Sequence, residues 1–380
     1  MTHRLPMRYR TPPSPLSRRL VTRRVLASLL AVSTTGRGYP CAACDLAPPI
    51  LAQPPGHSLS PQRVPNSFWN TWKRRYLRPD GRVTDTGNGG ISHSEGQGYG
   101  LVLSTHFKDR GSTERIWRWT QLHLQVRDDA LLAWRFDPAH GITDPNNAAD
   151  GDLLTAWGLL RAAALWPRGG FGKAAVPLIA SLKRLVVASG HGTLLLPAAQ
   201  GFVDHGSLVV NLSYWVFPAL RALAGADPEG PWRVVSENGL AVLDYARFGR
   251  FALPPDWLRM TDPVAPAEHD AHTRFGFDAV RIPLYLIWDG LDTRDRLEPF
   301  DDFWSNTDTG RGPSAWTDLR DDSLSPYAAA AALAPLRMWV RARLEGQCRP
   351  VLSSQLEDGD YYAATLALLV RVAIAERCER

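Results

Sequence analysis

The sequence predicts an all-α fold. Three observations carry this: apolar residues recur at helical spacing along most of the chain, no convincing run of alternating strands appears, and Gly- and Pro-rich loops separate the helical stretches. The first helix, 66–77, follows a Pro-, Gly-, Ser- and Gln-rich linker over 53–65. The stretches 95–107 and 112–126 come next, the first opening on a Ser-x-x-Gln pattern at Ser94 and Gln97 that fits a capping box. Residues 150–166 carry Leu153, Leu154, Trp157, Leu160 and Ala164 at helical spacing. Helices are then expected over 172–188, 213–224, 231–247, 276–289, 293–305 and 325–345, with a short extended excursion from Gly192 to Val203. The clearest helix is the last, 359–377, where Tyr362, Leu366, Leu369, Val370 and Ala373 form one stripe. Many short helices in a chain of this size suit an α-toroid, with helices packed in two layers.

With 44% hydrophobic and 21% charged residues, the 380-residue chain has an ordinary globular composition. Its net charge of +5 is unevenly placed. Residues 1–52 hold eight Arg, no Lys and one acidic residue, Asp45, which leaves 35 basic and 37 acidic side chains in the remainder. The basic balance belongs to a leader, so no nucleic-acid surface is expected. That leader runs from a long positive region into the apolar stretch Val25–Val32 and then small residues and prolines, the layout of an export signal. Its Arg23-Arg24 pair resembles a twin-arginine signal. The apolar stretch is too short for a stable membrane span. The chain therefore divides into a leader (1–52), a linker (53–65) and one domain (66–380), destined for the periplasm or the medium.

Beyond the leader only Cys348 and Cys378 remain, each near the end of one of the last two helices. If those helices are antiparallel neighbours, the two thiols stay free, because a disulfide needs close Cα atoms. No Cys/His cluster has zinc spacing, and neither metal nor cofactor is expected.

Three acidic segments carry the chemistry. Ser94-Glu95-Gly96-Gln97-Gly98-Tyr99-Gly100 places a carboxylate beside small residues that cost helix stability and so need a reason of their own. Asn146-Asn147-Ala148-Ala149-Asp150-Gly151-Asp152 puts two acids at a helix entrance. In Phe275-Gly276-Phe277-Asp278-Ala279-Val280-Arg281-Ile282-Pro283-Leu284-Tyr285, an Asp and an Arg three apart interrupt an apolar run; a buried structural pair would also explain them. All 14 Trp lie between Trp69 and Trp339, and most are expected in the core. Trp134, between the first two acidic segments in a polar loop context, is the aromatic singled out for ring stacking.

Together the three segments resemble glycoside hydrolase family 8, and the cellulases encoded with bacterial cellulose synthases in particular. The resemblance extends to Phe68, Trp69, Trp72, Gly81, Arg82 and Val83, to Ser213-Tyr214, to Pro255-Asp256-Trp257 and to Tyr361-Tyr362. It implies an (α/α)6 barrel and an endo-β-1,4-glucanase that works by inversion on a β-glucan, with a link to cellulose synthesis. It also implies that Glu95 is the general acid and Asp278 the base, about 6.5–9.5 Å apart to admit a water. Asp150 then contacts the sugar at the cleavage point, and Tyr214 and Arg281 orient substrate or water. Three positions depart from the pattern: Ala149 stands for Ser/Thr, Phe277 for Tyr, and Gly158 for Ser or Ala. Hydrolysis of xylan, chitosan or mixed-linkage glucan, or glycan binding without turnover, are the alternatives.

Overall fold

The structure, a computed structural model, describes residues 64–204, 207–268, 272–355 and 359–378. The leader and all but the end of the linker lie outside them. Eleven α-helices occur among the described residues: α1 Asn66–Tyr76, α2 Ser94–His106, α3 Arg110–His123, α4 Ala149–Leu165, α5 Phe171–Leu182, α6 Phe217–Ala226, α7 Trp232–Tyr245, α8 Ile282–Asp289, α9 Arg294–Asn306, α10 Ala334–Leu344 and α11 Tyr361–Cys378.

Helices α2, α4, α6, α8 and α11 pack each against the next and close a ring, with α10 set between α8 and α11. The sequence dictates which helices lie inside. Almost every residue of α2 and α8 is buried, and so is most of α4 and α11. Helices apolar on all sides belong in an interior. By contrast α1, α3 and α9 bury one stripe each, such as Leu297, Phe300, Phe303 and Trp304 on α9. Helices α3, α5, α7 and α9 cover α2, α4, α6 and α8 in turn, and α1 packs on α11. This is an (α/α)6 barrel with five outer helices among the described residues. The connection 345–360 carries no helix among its described residues, and Met338 and Arg341 on α10 stay exposed.

The closest helix pair, α2 with α4, explains why glycines recur in both. A Cβ at Gly98 would stand 2.5 Å from Leu154 Cβ, and one at Gly158 would stand 2.5 Å from Leu101 Cβ. Gly158, a departure from the family pattern, is thus a packing residue. Gly98→Val adds atoms where none fit, so it is expected to cost about 3 kcal/mol, the upper range for overpacking. Gly172→Ala on α5, whose nearest neighbour would be at 3.5 Å, should be neutral or stabilising. Thermal unfolding of both variants checks the contrast.

Several expectations change. The stretch 276–289 is not one helix. A strand, Arg274–Phe275, leads through a turn and a 3-10 segment, Ala279–Arg281, before α8 begins. The helix expected over 172–188 stops at Leu182, because the β-branched Val186 and Val187 enter a strand paired with Gly192–Leu195. That pairing accounts for the start of the expected excursion. A four-stranded sheet, built from Val203–Asp204, Ser207–Val210, Leu258–Met260 and Ala265–Pro266, was not foreseen.

Cys348 and Cys378 form a disulfide with a Cα separation of 5.8 Å, contrary to the expectation of free thiols. Cys348 lies beyond α10, where its carbonyl accepts from Trp339 Nε1 at 2.9 Å. The connection 345–360 returns the chain to the start of α11, so the two helices end at the same rim rather than forming an antiparallel hairpin.

Candidate active site

Glu95 lies in the first turn of α2, at one rim of the barrel. The expected capping box is absent. The N-cap is His93, whose Nδ1 accepts from Gly96 N–H at 3.0 Å, while Ser94 is already helical. Gln97 turns away instead. Its Oε1 accepts from Val83 N–H at 2.6 Å and its Nε2 donates to Thr120 Oγ1 at 2.9 Å, so this buried amide holds the 81–83 segment against α3. Glu95 keeps 15% of its side chain exposed. Its Oε1 accepts from Tyr99 Oη at 3.1 Å and pairs with Arg281 Nη1. Gly96 leaves room for Tyr361, whose hydroxyl would stand 2.7 Å from a Cβ there.

Trp134 is brought beside the start of α2. The short strands Ser92–His93 and Arg135–Asp137 pair, and Ser94 N–H donates to the Trp134 carbonyl at 3.0 Å. The ring is half-buried and lies under the Arg135 guanidinium. Asp152 braces this loop from below, accepting from Leu132 N–H at 2.9 Å and from Asn147 Nδ2 at 2.8 Å. Burial pushes its carboxyl up to about 7.

Asp150 is the second residue of α4, which begins at Ala149, one residue after its N-cap Ala148. It is buried, and burial pushes its carboxyl up to about 7. Its Oδ2 lies 3.4 Å from Arg281 Nη1.

Asp278 reaches the same guanidinium from the other side, its Oδ1 standing 2.9 Å from Arg281 Nη2. Burial, then the nearby Asp256 and Asp150, push the Asp278 carboxyl well above the usual range. The Phe277 ring is 47% exposed, and its carbonyl accepts from the Tyr362 hydroxyl.

Arg281, only 3% exposed, is the centre of the cluster. Besides the three carboxyls it donates to Ser213 Oγ at 2.7 Å, and the Tyr214 ring faces it at 5.8 Å. Tyr214 meets Trp257 edge-on, and Trp257 stacks on Phe202 at 5.5 Å. One guanidinium against three carboxyls leaves excess negative charge in a buried space, and such an arrangement favours keeping a proton within the cluster. All six residues singled out as candidates thus lie along one rim: Glu95, Asp150, Asp278 and Tyr214 around Arg281, and Trp134 beside α2. His93, Tyr99 and Tyr285 were not singled out, although both tyrosines belonged to quoted segments; their hydroxyls are 2.8 Å apart.

A helical barrel with carboxyls gathered at one rim is an arrangement that suits cleavage of glycosidic bonds. The chain belongs to glycosyl hydrolases family 8, whose profile matches residues 58–376. It is 38% identical over 314 residues to a "Probable endoglucanase" of Novacetimonas hansenii, a match covering 81% of this chain and 90% of that protein. It is 34% identical to an "Endoglucanase" of Cellulomonas uda, covering 73% of this chain and 78% of the other. The endo-β-1,4-glucanase CMCax from Acetobacter xylinum has the same fold, with a TM-score of 0.75, 35% identity, and coverage of 84% of this chain and 100% of that one.

Proposed function

We infer that this chain is an exported endo-β-1,4-glucanase that cuts cellulose by inversion. The observation that carries this reading is the bridging of Glu95, Asp150 and Asp278 by Arg281 at one rim. Glu95, held by Tyr99, gives its proton to the leaving oxygen. Asp278 takes a proton from the water that attacks the anomeric carbon from the opposite face. Asp150 grips the distorted sugar, Arg281 and Tyr214 orient substrate, and Trp134 offers a face for stacking. Export is supported by the leader and by the disulfide, since disulfides persist in oxidising compartments. A place beside cellulose synthesis is part of this reading and rests on the sequence resemblance alone. Reducing-sugar release across carboxymethylcellulose, xylan, chitosan and mixed-linkage glucan tests the substrate. Greatest release from a glycan other than cellulose would overturn the substrate assignment, and binding with no release from any of them would overturn the activity.

Asp150 gives a separate test. Asp150→Asn is expected to lower kcat strongly with little change in melting temperature. Loss of a negative neighbour lets Glu95 release its proton at lower pH. The alkaline limb of the pH–rate profile, which reports loss of the acid's proton, should therefore move to lower pH. A variant with full kcat would confine Asp150 to a structural role.

A further inference from the structure

The turn that presents Asp278 is not held by helix or sheet. Three of its four backbone N–H groups point to one oxygen: Asp256 Oδ1 lies 2.9 Å from Gly276 N, 3.2 Å from Asp278 N and 2.8 Å from Ala279 N. Asp256 is fixed in turn, its own N–H donating to the Arg274 carbonyl at 2.7 Å on the strand that precedes the turn. Residue 276 must be small for this to happen, because a Cβ there would stand 2.9 Å from Asp256 Oδ2. The next residue, Trp257, reaches the Asp278 carboxyl with its indole.

We propose that Asp256 is a positioning residue for the base, gathering the backbone of 276–279 so that the Asp278 carboxyl projects to Arg281, and placing a second negative charge beside it. The proposal rests on the assignment of Asp278 as base. A backbone clamp alone could be made by any acceptor, including a neutral amide. An ionisable carboxyl adds something an amide does not: it disfavours charge on its neighbour. Burial, opposed by those three N–H donors, holds Asp256 itself up to about 6. When ionised, it pushes the Asp278 carboxyl further up. The other charged or titratable groups facing the pair are Arg281 and Asp150 across the cleft, Arg274 on the preceding strand, and the Tyr362 hydroxyl above Phe277.

The sign of the effect follows. A base must be ionised, so activity is lost as pH falls through its pKa, and a negative neighbour moves that acidic limb upward. Asp256→Asn keeps the size and an acceptor oxygen but removes the charge. The acidic limb of kcat/KM is expected to move to lower pH by about half to one unit, with KM nearly unchanged. Asp256→Ala removes the clamp as well, and kcat should fall on the order of 10²-fold, the scale of a misplaced reacting group. Gly276→Ala, which leaves the carboxyl in the chain but crowds it, should lower kcat without moving the limb as Asp256→Asn does. An unmoved acidic limb in folded Asp256→Asn overturns the proposal, and so does parental kcat in Asp256→Ala. Asp278→Asn, profiled in parallel, separates this from failure of the base assignment. If its residual activity keeps the wild-type acidic limb, that limb never belonged to Asp278, and the assignment of the base is what fails.

Discussion

Glu95→Gln is expected to abolish useful turnover on cellulose while leaving the fold and glycan binding in place. The amide matches the carboxyl in size and can keep the contact from Tyr99, but it has no proton to give the leaving oxygen. Loss of general acid help costs about 10²–10⁴-fold in rate. The loss should shrink on an aryl glycoside whose leaving group departs without protonation, because that substrate asks less of the acid. Thermal unfolding and oligosaccharide binding measured beside kcat separate a chemical defect from a folded-state one. Near-parental turnover of an unactivated β-glucan would remove Glu95 from this role.

Asp278→Asn should be as damaging, for the complementary reason. An amide at 278 can still accept from Arg281 Nη2, so the cluster keeps its geometry, but it cannot take a proton from water. The wild-type enzyme should release the α-anomer first from a β-linked chain, visible by NMR of fresh product before mutarotation. Retention of configuration would sink the single-displacement scheme regardless of what either variant did.

Much of the barrel was legible because helices buried on all sides and helices buried on one stripe have different residue patterns. The Leu297, Phe300, Phe303, Trp304 stripe of α9 is such a pattern, and the expected helix there was displaced by one residue. What periodicity missed depends on partners distant in the chain. The 276–289 apolar run looks continuous, yet its first part is pulled out of helix by Asp256, some twenty residues earlier. The Ser94–Gln97 box failed for a similar reason: Gln97 has better partners in Val83 and Thr120 than at its own helix start. The disulfide was missed because the path between α10 and α11 decides it, and the described residues of that connection, without helix, leave no periodic trace. In the site, the carboxylates stood out as polar residues in small or apolar surroundings. Nothing local indicated that one guanidinium would touch all three.

The ring of inner helices also has an electrostatic consequence. Glu95 and Asp150 occupy the first turns of α2 and α4, Tyr361 opens α11, and the Leu212–Tyr214 and Ala279–Arg281 turns lead into α6 and α8. Five peptide dipoles therefore point their positive ends toward the carboxyl cluster, each equivalent to roughly half an elementary charge. That converging field acts on Glu95, Asp150, Asp256 and Asp278 at once and offsets part of their mutual repulsion, which Arg281 alone cannot balance. It is fixed by the backbone, so no side-chain substitution removes it. A variant that loses Arg281 should keep this backbone field, which goes on offsetting part of the repulsion among the carboxylates.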